Sequence, residues 1–343
     1  MPAPQPIFDA AFTRTLFLKP FLQAVNKQLG VDYTQLGIPA SLAAEPMALV
    51  PYHDVNRWLE QIETELGDPS YVAKIAPWLK LDNMDRLGNW FLSTPELALS
   101  FRRINYGTSC LQSGATFHGE LSGRLIKWCY DNHFSSGRGR LHDSLRIAIM
   151  LTNTVRYFMG ENYSPLKVEI SGPRCDAVAF EEYFGCPIRW NAPKTKVWID
   201  ISILEHGNTQ PFQFNRPIML SNLDMDEFLN MPQPHDAAKV MYEMINYSRY
   251  YGYPSLDFVA GKFQLSKQQL QRRLHQFGWS FTSITSYVLC NQAIKYMQTG
   301  MPVKEIAQSL GYRNVQSFSK AFQRQRGQTP HQYQETLLER CRF

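Results

Sequence analysis

Glutamine, arginine and lysine side chains share one face of a segment near the end of the chain. In residues 254–278 these polar residues are Lys267, Gln268, Gln271 and Arg272. Leu270 and Leu274 lie one helical turn apart and would form an apolar stripe on the opposite face, with Ser266 as the helix cap. Glutamine amides can read adenine edges in the DNA major groove, and a guanidinium can read guanine or a phosphate. The segment therefore predicts a recognition helix, although an ordinary amphipathic surface helix would show the same stripe.

Residues 302–326 repeat this design. Asn314 is expected to cap a helix whose inward face carries Phe318 and Phe322, after a left-handed turn at Gly311. The polar residues on its other faces are Gln316, Ser317, Ser319, Lys320 and Arg324. A continuous helical pattern over 281–299 joins the two units. Such a linker can place both recognition helices in successive major grooves, roughly 34 Å apart.

Basic charge is concentrated in the same part of the chain. Residues 235–343 contain 14 Lys and Arg against 6 Asp and Glu, a net charge of +8, whereas residues 1–234 carry −3. A local excess of basic charge is typical of a protein that binds a polyanion. Charge alone leaves two other interpretations open, a solvated basic face and a basic helical interaction module that binds an acidic protein partner.

Length and patterning predict two domains that position these helices. A chain of 343 residues exceeds what one hydrophobic core usually organises. We expect an α+β fold: a mixed α/β sensing and dimerisation domain over 1–204, a proline-containing linker over 205–234, and an all-α DNA-binding domain over 235–343. The two helix-turn-helix units of the last domain are expected at 254–278 and 302–326.

The first domain mixes two kinds of hydrophobic periodicity. Helical patterns cover 52–66, 141–159 and 175–185, and strand patterns cover 125–130, 166–172 and 196–202. Thr94 followed by Pro95 predicts the start of a further helix that extends to about Gly114.

Several function classes find no support in the residues. The six cysteines, at 110, 129, 175, 186, 290 and 341, form no CxxC pair, so we expect reduced thiols, no metal and no cofactor. No motif for a catalytic residue set stands out, which leaves an enzyme with a DNA-tethering tail as a remote third alternative. With neither a membrane-spanning run nor a secretion signal, we expect a cytoplasmic protein without a membrane partner.

The C-terminal residues resemble the AraC/XylS family of transcription regulators. The resemblance rests on VKEIAQSLGYRNVQSFSKAFQRQRGQTPHQY at 303–333 and on the S-x-x-x-L-x-R-x-L pattern at 266–274. It implies base-facing roles for Gln268, Gln271, Arg272, Gln316, Ser317 and Lys320, and DNA-backbone contacts for Lys267, Ser319 and Arg324. One position departs from the family pattern, because Leu289 stands where an arginine usually precedes the linker-helix alanine.

The stretch at 173–190, PRCDAVAFEEYFGCPIRW, resembles the end of the sensing domain in the branch that includes regulators of ornithine catabolism. We interpret Phe184, Cys186 and Pro187 as structural and not as ligand contacts. Phe184 is expected to pack and Pro187 to start an edge strand, after Gly185 breaks a helix. The resemblance implies a small-molecule effector, such as an organic or fatty acid or an amino-acid derivative.

The effector site itself is poorly specified by sequence. Aromatic residues of the first domain could line a pocket, and an arginine could meet a carboxylate. The candidates are Trp128, Tyr130, Arg146 and Tyr157, although such aromatic residues are more often plain core and such an arginine more often forms an exposed ion pair. Resemblance further implies an activator that contacts RNA polymerase beside its promoter site and acts as a homodimer.

Overall fold

The computed structural model describes residues 8–208 and 222–340. Residues 209–221 of the predicted linker, and Cys341, lie outside the described residues. The chain forms two compact units, one from Ala11 to Met231 and one that joins Met1–Ala10 with Pro232–Phe343. None of the described helices is both long enough and apolar enough to cross a bilayer.

The first unit combines strands and helices, which confirms the predicted α+β class. Its strands are β1 (Phe12–Arg14), β2 (Leu49–Pro51), β3 (Ala115–Ser122), β4 (Leu125–Asn132), β5 (Lys167–Glu169), β6 (Ile188–Arg189) and β7 (Thr195–Asp200). Its helices are α1 (Thr15–Leu29), α2 (Ala40–Ala43), α3 (Tyr52–Leu66), α4 (Tyr71–Lys74), α5 (Asp85–Leu92), α6 (Leu97–Gly107), α7 (Gly137–Met159), α8 (Ala177–Phe184) and α9 (Asn222–Leu229).

Five strands form a mixed sheet in the order β3-β4-β7-β5-β6, and β1 pairs separately with β2. All neighbours in the larger sheet are antiparallel except β5 and β6, which are parallel. Trp128, Val197 and Ile199 lie on one face of this sheet and are buried. Helix α7 is buried along most of its length, including polar residues such as His142, Asp143 and Arg146, and supplies much of the core.

Two local predictions have different outcomes. The helix expected from Thr94 to about Gly114 is shorter, from Leu97 to Gly107. The Thr94 hydroxyl donates to the Glu96 carbonyl at 2.9 Å and does not cap the helix. The prediction for residues 184–187 is confirmed: α8 ends at Phe184, Gly185 takes a left-handed φ of 67°, and the short edge strand β6 follows Pro187. Phe184 is fully buried.

The second unit is helical throughout its described part after Pro232. Its helices are α10 (Ala237–Ser248), α11 (Leu256–Lys262), α12 (Lys267–Gln276), α13 (Phe281–Gln298), α14 (Val303–Ser309), α15 (Val315–Arg326) and α16 (Pro330–Arg340). Phe8 belongs to this unit as well, and its ring packs 5.1 Å from Phe263 and 6.0 Å from Phe277.

Candidate DNA-binding surface and effector cavity

Helix α12 begins with a complete capping box. The Ser266 hydroxyl accepts a hydrogen bond from the Gln269 amide at 3.2 Å, and the Gln269 side chain accepts one from the Ser266 amide at 2.8 Å. This reciprocal pair satisfies two backbone donors that a helix start otherwise leaves open. Leu270 and Leu274 are buried, at 0% and 1% exposure, so the polar face of α12 must point to solvent.

Helix α15 is built in the same way. The Asn314 side chain accepts a hydrogen bond from the Ser317 amide at 2.8 Å, and the helix ends at Gly327, whose φ is 76°. Phe318 and Phe322 are buried in the core of this half of the unit, where the Phe322 ring lies 5.4 Å from Tyr333. The predicted caps and inward faces of both helices are therefore present.

The structure places the predicted DNA contacts on the exposed surfaces of these two helices. Eight of them are exposed: Lys267, Gln268, Gln271, Arg272, Gln316, Ser317, Lys320 and Arg324. Ser319 is half-buried, which limits its reach toward a ligand. Lys267 forms an ion pair with Asp257 at 2.5 Å, whereas Arg272 and Lys320 make no ion pair within 8–208 and 222–340. The two latter cations are therefore available to an anionic partner.

The packing of the linker helix α13 accounts for the leucine at position 289, where the family usually has an arginine. Leu289 is 1% exposed and belongs to the buried cluster that includes Ala293, Ile306 and Phe318. An arginine there would place a charge in an apolar core, which is costly without a partner. A different cation ties α13 to α15: Arg326 donates to the Asn291 side chain at 2.7 Å and to the Cys290 sulfur at 3.2 Å.

A close backbone contact joins the two helix-turn-helix halves. Gly311, at the turn after α14, has φ 79°, and a Cβ built there would lie 2.5 Å from the backbone nitrogen of Tyr253. Tyr253 precedes α11, the first helix of the other half. The rings of Tyr253 and Tyr312 pack at 5.1 Å beside this contact. The contact therefore fixes one half against the other.

In the first unit, Tyr130 and Arg146 lie in a buried polar network. The Tyr130 hydroxyl donates to Asp143 at 2.6 Å, and Arg146 donates to the other oxygen of Asp143 at 2.8 Å. Burial, with the charge of Asp143, raises the pKa of Tyr130. Burial lowers the pKa of Arg146, but the charge of Asp143, the neighbouring Tyr52 and Tyr130, and the hydrogen bond to Asp143 together raise it overall. The ion pair expected for Arg146 exists, yet it is buried, not exposed.

Trp128 is also a core residue. It is 1% exposed, its indole donates to Asn105 at 2.8 Å, and its ring centroid lies 3.8 Å from that of Phe101. Because its ring is packed and its indole nitrogen is hydrogen-bonded, Trp128 is poorly placed to contact a ligand.

Tyr157 has a different environment, because it lines a cavity of about 280 Å³ in the first unit. The lining residues are Lys80, Leu81, Asp82, Leu92, Asn153, Thr154, Arg156, Tyr157, Gly160 and Glu161. Burial, followed by the charge of Asp82, raises the pKa of Tyr157, so its hydroxyl remains protonated. Of the four effector-site candidates, only Tyr157 lines this cavity.

The charged groups of the cavity carry both signs. Lys80 pairs with Glu161 at 2.9 Å, while Asp82 forms no ion pair in the part of the chain that the structure describes. Arg156 donates to the carbonyls of Tyr163 at 2.9 Å and Tyr183 at 2.6 Å, and these bonds hold its guanidinium in place. Sequence reasoning missed Lys80, Asp82 and Glu161, because no motif links residues that only the fold brings together.

Comparisons with known proteins agree with this two-part organisation. Residues 33–208 match the family described as the arabinose-binding domain of AraC transcription regulators, N-terminal. Residues 259–336 match the helix-turn-helix domain family. The first match covers more than half of the chain, and the second covers both capped helices.

Individual relatives are distant. An uncharacterized HTH-type transcriptional regulator of Mycobacterium tuberculosis is 32% identical over 82 residues, which span 24% of each chain. The ornithine utilization regulator of Pseudomonas aeruginosa is 22% identical over 183 residues, 52% of this chain and 53% of that relative. The crystal structure of the transcriptional regulator CdpR from Pseudomonas aeruginosa covers 92% of this chain and 98% of its own, with 18% identity and a TM-score of 0.41.

Proposed function

The chain belongs to the AraC family of transcription regulators, and we propose that α12 and α15 together read a promoter. The observation that carries this proposal is the pair of capped helices, each with a buried apolar face and an exposed Gln- and cation-bearing face. Gln268, Gln271 and Arg272 are proposed to contact bases from α12, and Gln316, Ser317 and Lys320 from α15. Lys267, Ser319 and Arg324 are proposed to contact the DNA backbone.

The contact between Gly311 and Tyr253 supports simultaneous use of both helices. Two recognition helices joined by flexible chain would lose orientational freedom on binding, and that loss opposes affinity. Backbone atoms packed this closely leave the two halves little freedom to rotate. We infer that the unit presents both reading faces in one preset arrangement.

Fluorescence anisotropy of the full chain with labelled DNA tests the proposal. The probe is the duplex upstream of the chain's own gene, and the control is a shuffled duplex of equal length and composition. A sequence reader should prefer the first duplex by at least tenfold in Kd. Equal affinity for both duplexes, together with displacement of DNA by poly-glutamate, would favour the alternative of a basic interaction module for acidic proteins.

We further propose that a small-molecule effector occupies the cavity beside Tyr157. Opposite charges line this cavity, so it suits a zwitterion: Asp82 can pair with an ammonium, and the protonated Tyr157 hydroxyl can donate to a carboxylate. Among organic acids, fatty acids and amino-acid derivatives, this lining favours the last class. The similarity of this chain to an ornithine utilization regulator is consistent with that choice.

Isothermal titration of the full chain with L-ornithine, and separately with sodium octanoate, tests the ligand class. L-Ornithine should bind the wild type and lose at least tenfold in affinity in Asp82→Asn. The matched control is Asp85→Asn, which alters a nearby exposed carboxylate that pairs with Lys19 at 2.6 Å. Binding of octanoate alone would indicate an organic or fatty acid, and binding of neither would contradict the assignment of this cavity.

Activation, dimerisation and contact with RNA polymerase extend the same proposal. Residues 1–234 carry a net charge of −3 and are poorly suited to bind DNA. The first unit, which makes up most of this segment, is proposed to dimerise and sense. A dimer makes the second DNA-binding event intramolecular and so raises apparent affinity at paired sites. The effector is proposed to act by favouring one arrangement of the two units, in a cytoplasmic activator.

A further inference from the structure

Three side chains with different metal-binding atoms meet on one face of the larger sheet. His118 and Glu120 lie two residues apart on β3, and Cys129 lies directly opposite His118 on β4. Their ligand atoms all lie within 4.8 Å of one another. We propose that His118, Glu120 and Cys129 bind a divalent transition metal of the Zn²⁺ type, with a fourth position open to water.

The spacing of the ligand atoms suits such an ion. Bond lengths of roughly 2.0–2.3 Å from Zn²⁺ to nitrogen, oxygen and sulfur place tetrahedral ligands about 3.3–3.6 Å apart. The His118 Nε2 atom already lies 3.5 Å from Glu120 Oε1. The remaining separations, which involve the Cys129 sulfur, are no longer than 4.8 Å.

The donor set also selects the kind of metal. A thiolate, an imidazole and one carboxylate favour Zn²⁺ or Co²⁺, whereas Mg²⁺ and Ca²⁺ prefer oxygen ligands alone. Binding deprotonates the thiol: the Cys129 S–H bond breaks, the proton goes to solvent, and the sulfur lone pair forms the bond to the metal.

A neighbouring lysine orients the carboxylate. Lys196, opposite Cys129 on β7, donates to Glu120 Oε2 at 2.6 Å. That bond leaves Oε1, the oxygen nearer to His118, available to the metal. Ligating carboxylates in proteins commonly have such an outer hydrogen-bond partner. Lys196 is therefore a positioning residue for this site.

The site has both access and a rigid base. The side chains of His118 and Glu120 are each 39% exposed, so an ion can enter from solvent, while Cys129 is fully buried. The sheet holds all four residues in one antiparallel register over β3, β4 and β7. The opposite face, with Trp128, forms the core. A metal would thus attach to the sheet without disturbing that core.

Cobalt titration of the reduced, chelator-treated full chain tests the site. Co²⁺ bound through Cys129 produces a near-ultraviolet thiolate-to-metal charge-transfer band, which we expect to saturate at one ion per chain and to disappear on addition of Zn²⁺. Cys129→Ser should abolish the band, and His118→Asn should weaken Co²⁺ affinity at least tenfold. Because Cys129 is buried, its variant is checked by a thermal melt, and the half-exposed His118 provides the second variant.

Two control variants locate the site. Cys175→Ser removes a half-buried thiol elsewhere in the unit, and His133→Asn removes an imidazole that is 79% exposed near the end of β4. Both should keep the band and the affinity. A wild type without a charge-transfer band overturns the proposal, and so does a band that survives in folded Cys129→Ser or is lost in Cys175→Ser.

Discussion

Replacement of Gly311 by alanine should destabilise the DNA-binding unit far more than the same change at Gly300. Both glycines have left-handed backbones, with φ of 79° and 77°. A Cβ at Gly300 would meet no atom within 4 Å, whereas a Cβ at Gly311 would lie 2.5 Å from the Tyr253 nitrogen and 2.6 Å from the Gly252 carbonyl carbon. The atoms in contact belong to the backbone, so no side-chain rotation can relieve the overlap.

The magnitude follows from comparison of the two sites. The left-handed conformation costs an alanine roughly 1–2 kcal/mol at either position. Alanine also restricts the unfolded chain, which offsets this cost by about 0.4–1 kcal/mol at both sites. The overlap at Gly311 adds about 1–3 kcal/mol, the usual cost of forcing an extra carbon into a packed region. The difference between the variants should therefore be about 1–3 kcal/mol, or roughly fivefold to 150-fold in the unfolding equilibrium.

Urea denaturation of the full chain, followed by hydrogen exchange with mass spectrometry, measures this difference. Exchange in α11 and α14, which flank the contact, should accelerate in Gly311→Ala, while α7 of the other unit serves as the internal reference. Gly311→Ala should also weaken promoter binding, because the two reading helices lose their fixed arrangement. Equal destabilisation by the two variants would refute the close approach of Gly311 to Tyr253.

The other predictions concern binding and packing. Phe322→Ala should cost about 3–5 kcal/mol because it removes a buried ring, and an unaltered melt would mean that the ring is exposed. Arg272→Ala and Lys320→Ala should each weaken promoter binding by about 1–3 kcal/mol with unchanged melts, and full affinity in both would show that the reading faces are misassigned. Residues 235–343 alone should bind DNA. The logarithm of the binding constant should fall with the logarithm of the salt concentration, with a slope of about −0.9 for each phosphate neutralised, and a salt-independent Kd would contradict electrostatic binding. The fragment 1–230 should dimerise at micromolar concentration, and a monomeric sedimentation profile would leave sensing as its only proposed role.

Local sequence patterns were sufficient to predict the helix caps and the buried helix faces of the DNA-binding unit. Ser266 and Asn314 cap their helices as predicted, and the inward placement of Leu270 and Phe318 followed from helical periodicity. Cap, stripe and turn are each specified within a few residues, so short-range physics suffices to identify them. The same reasoning correctly predicted the helix end at Gly185. It failed at Thr94, whose hydroxyl bonds a nearby carbonyl and leaves the helix to start at Leu97.

Tertiary structure decided the features that join distant segments. The sequence offered Tyr130 and Tyr157 as equal pocket candidates, but only the fold buries the first in a polar network and puts the second beside Asp82. The cysteines showed no metal-binding spacing, yet strand register sets Cys129 directly opposite His118. Strand pairing and helix packing bring together residues that are far apart in the sequence, so local sequence patterns cannot predict them. Helix caps and buried helix faces can therefore be predicted from the sequence, whereas the cavity and the cluster of His118, Glu120 and Cys129 arise only in the folded protein.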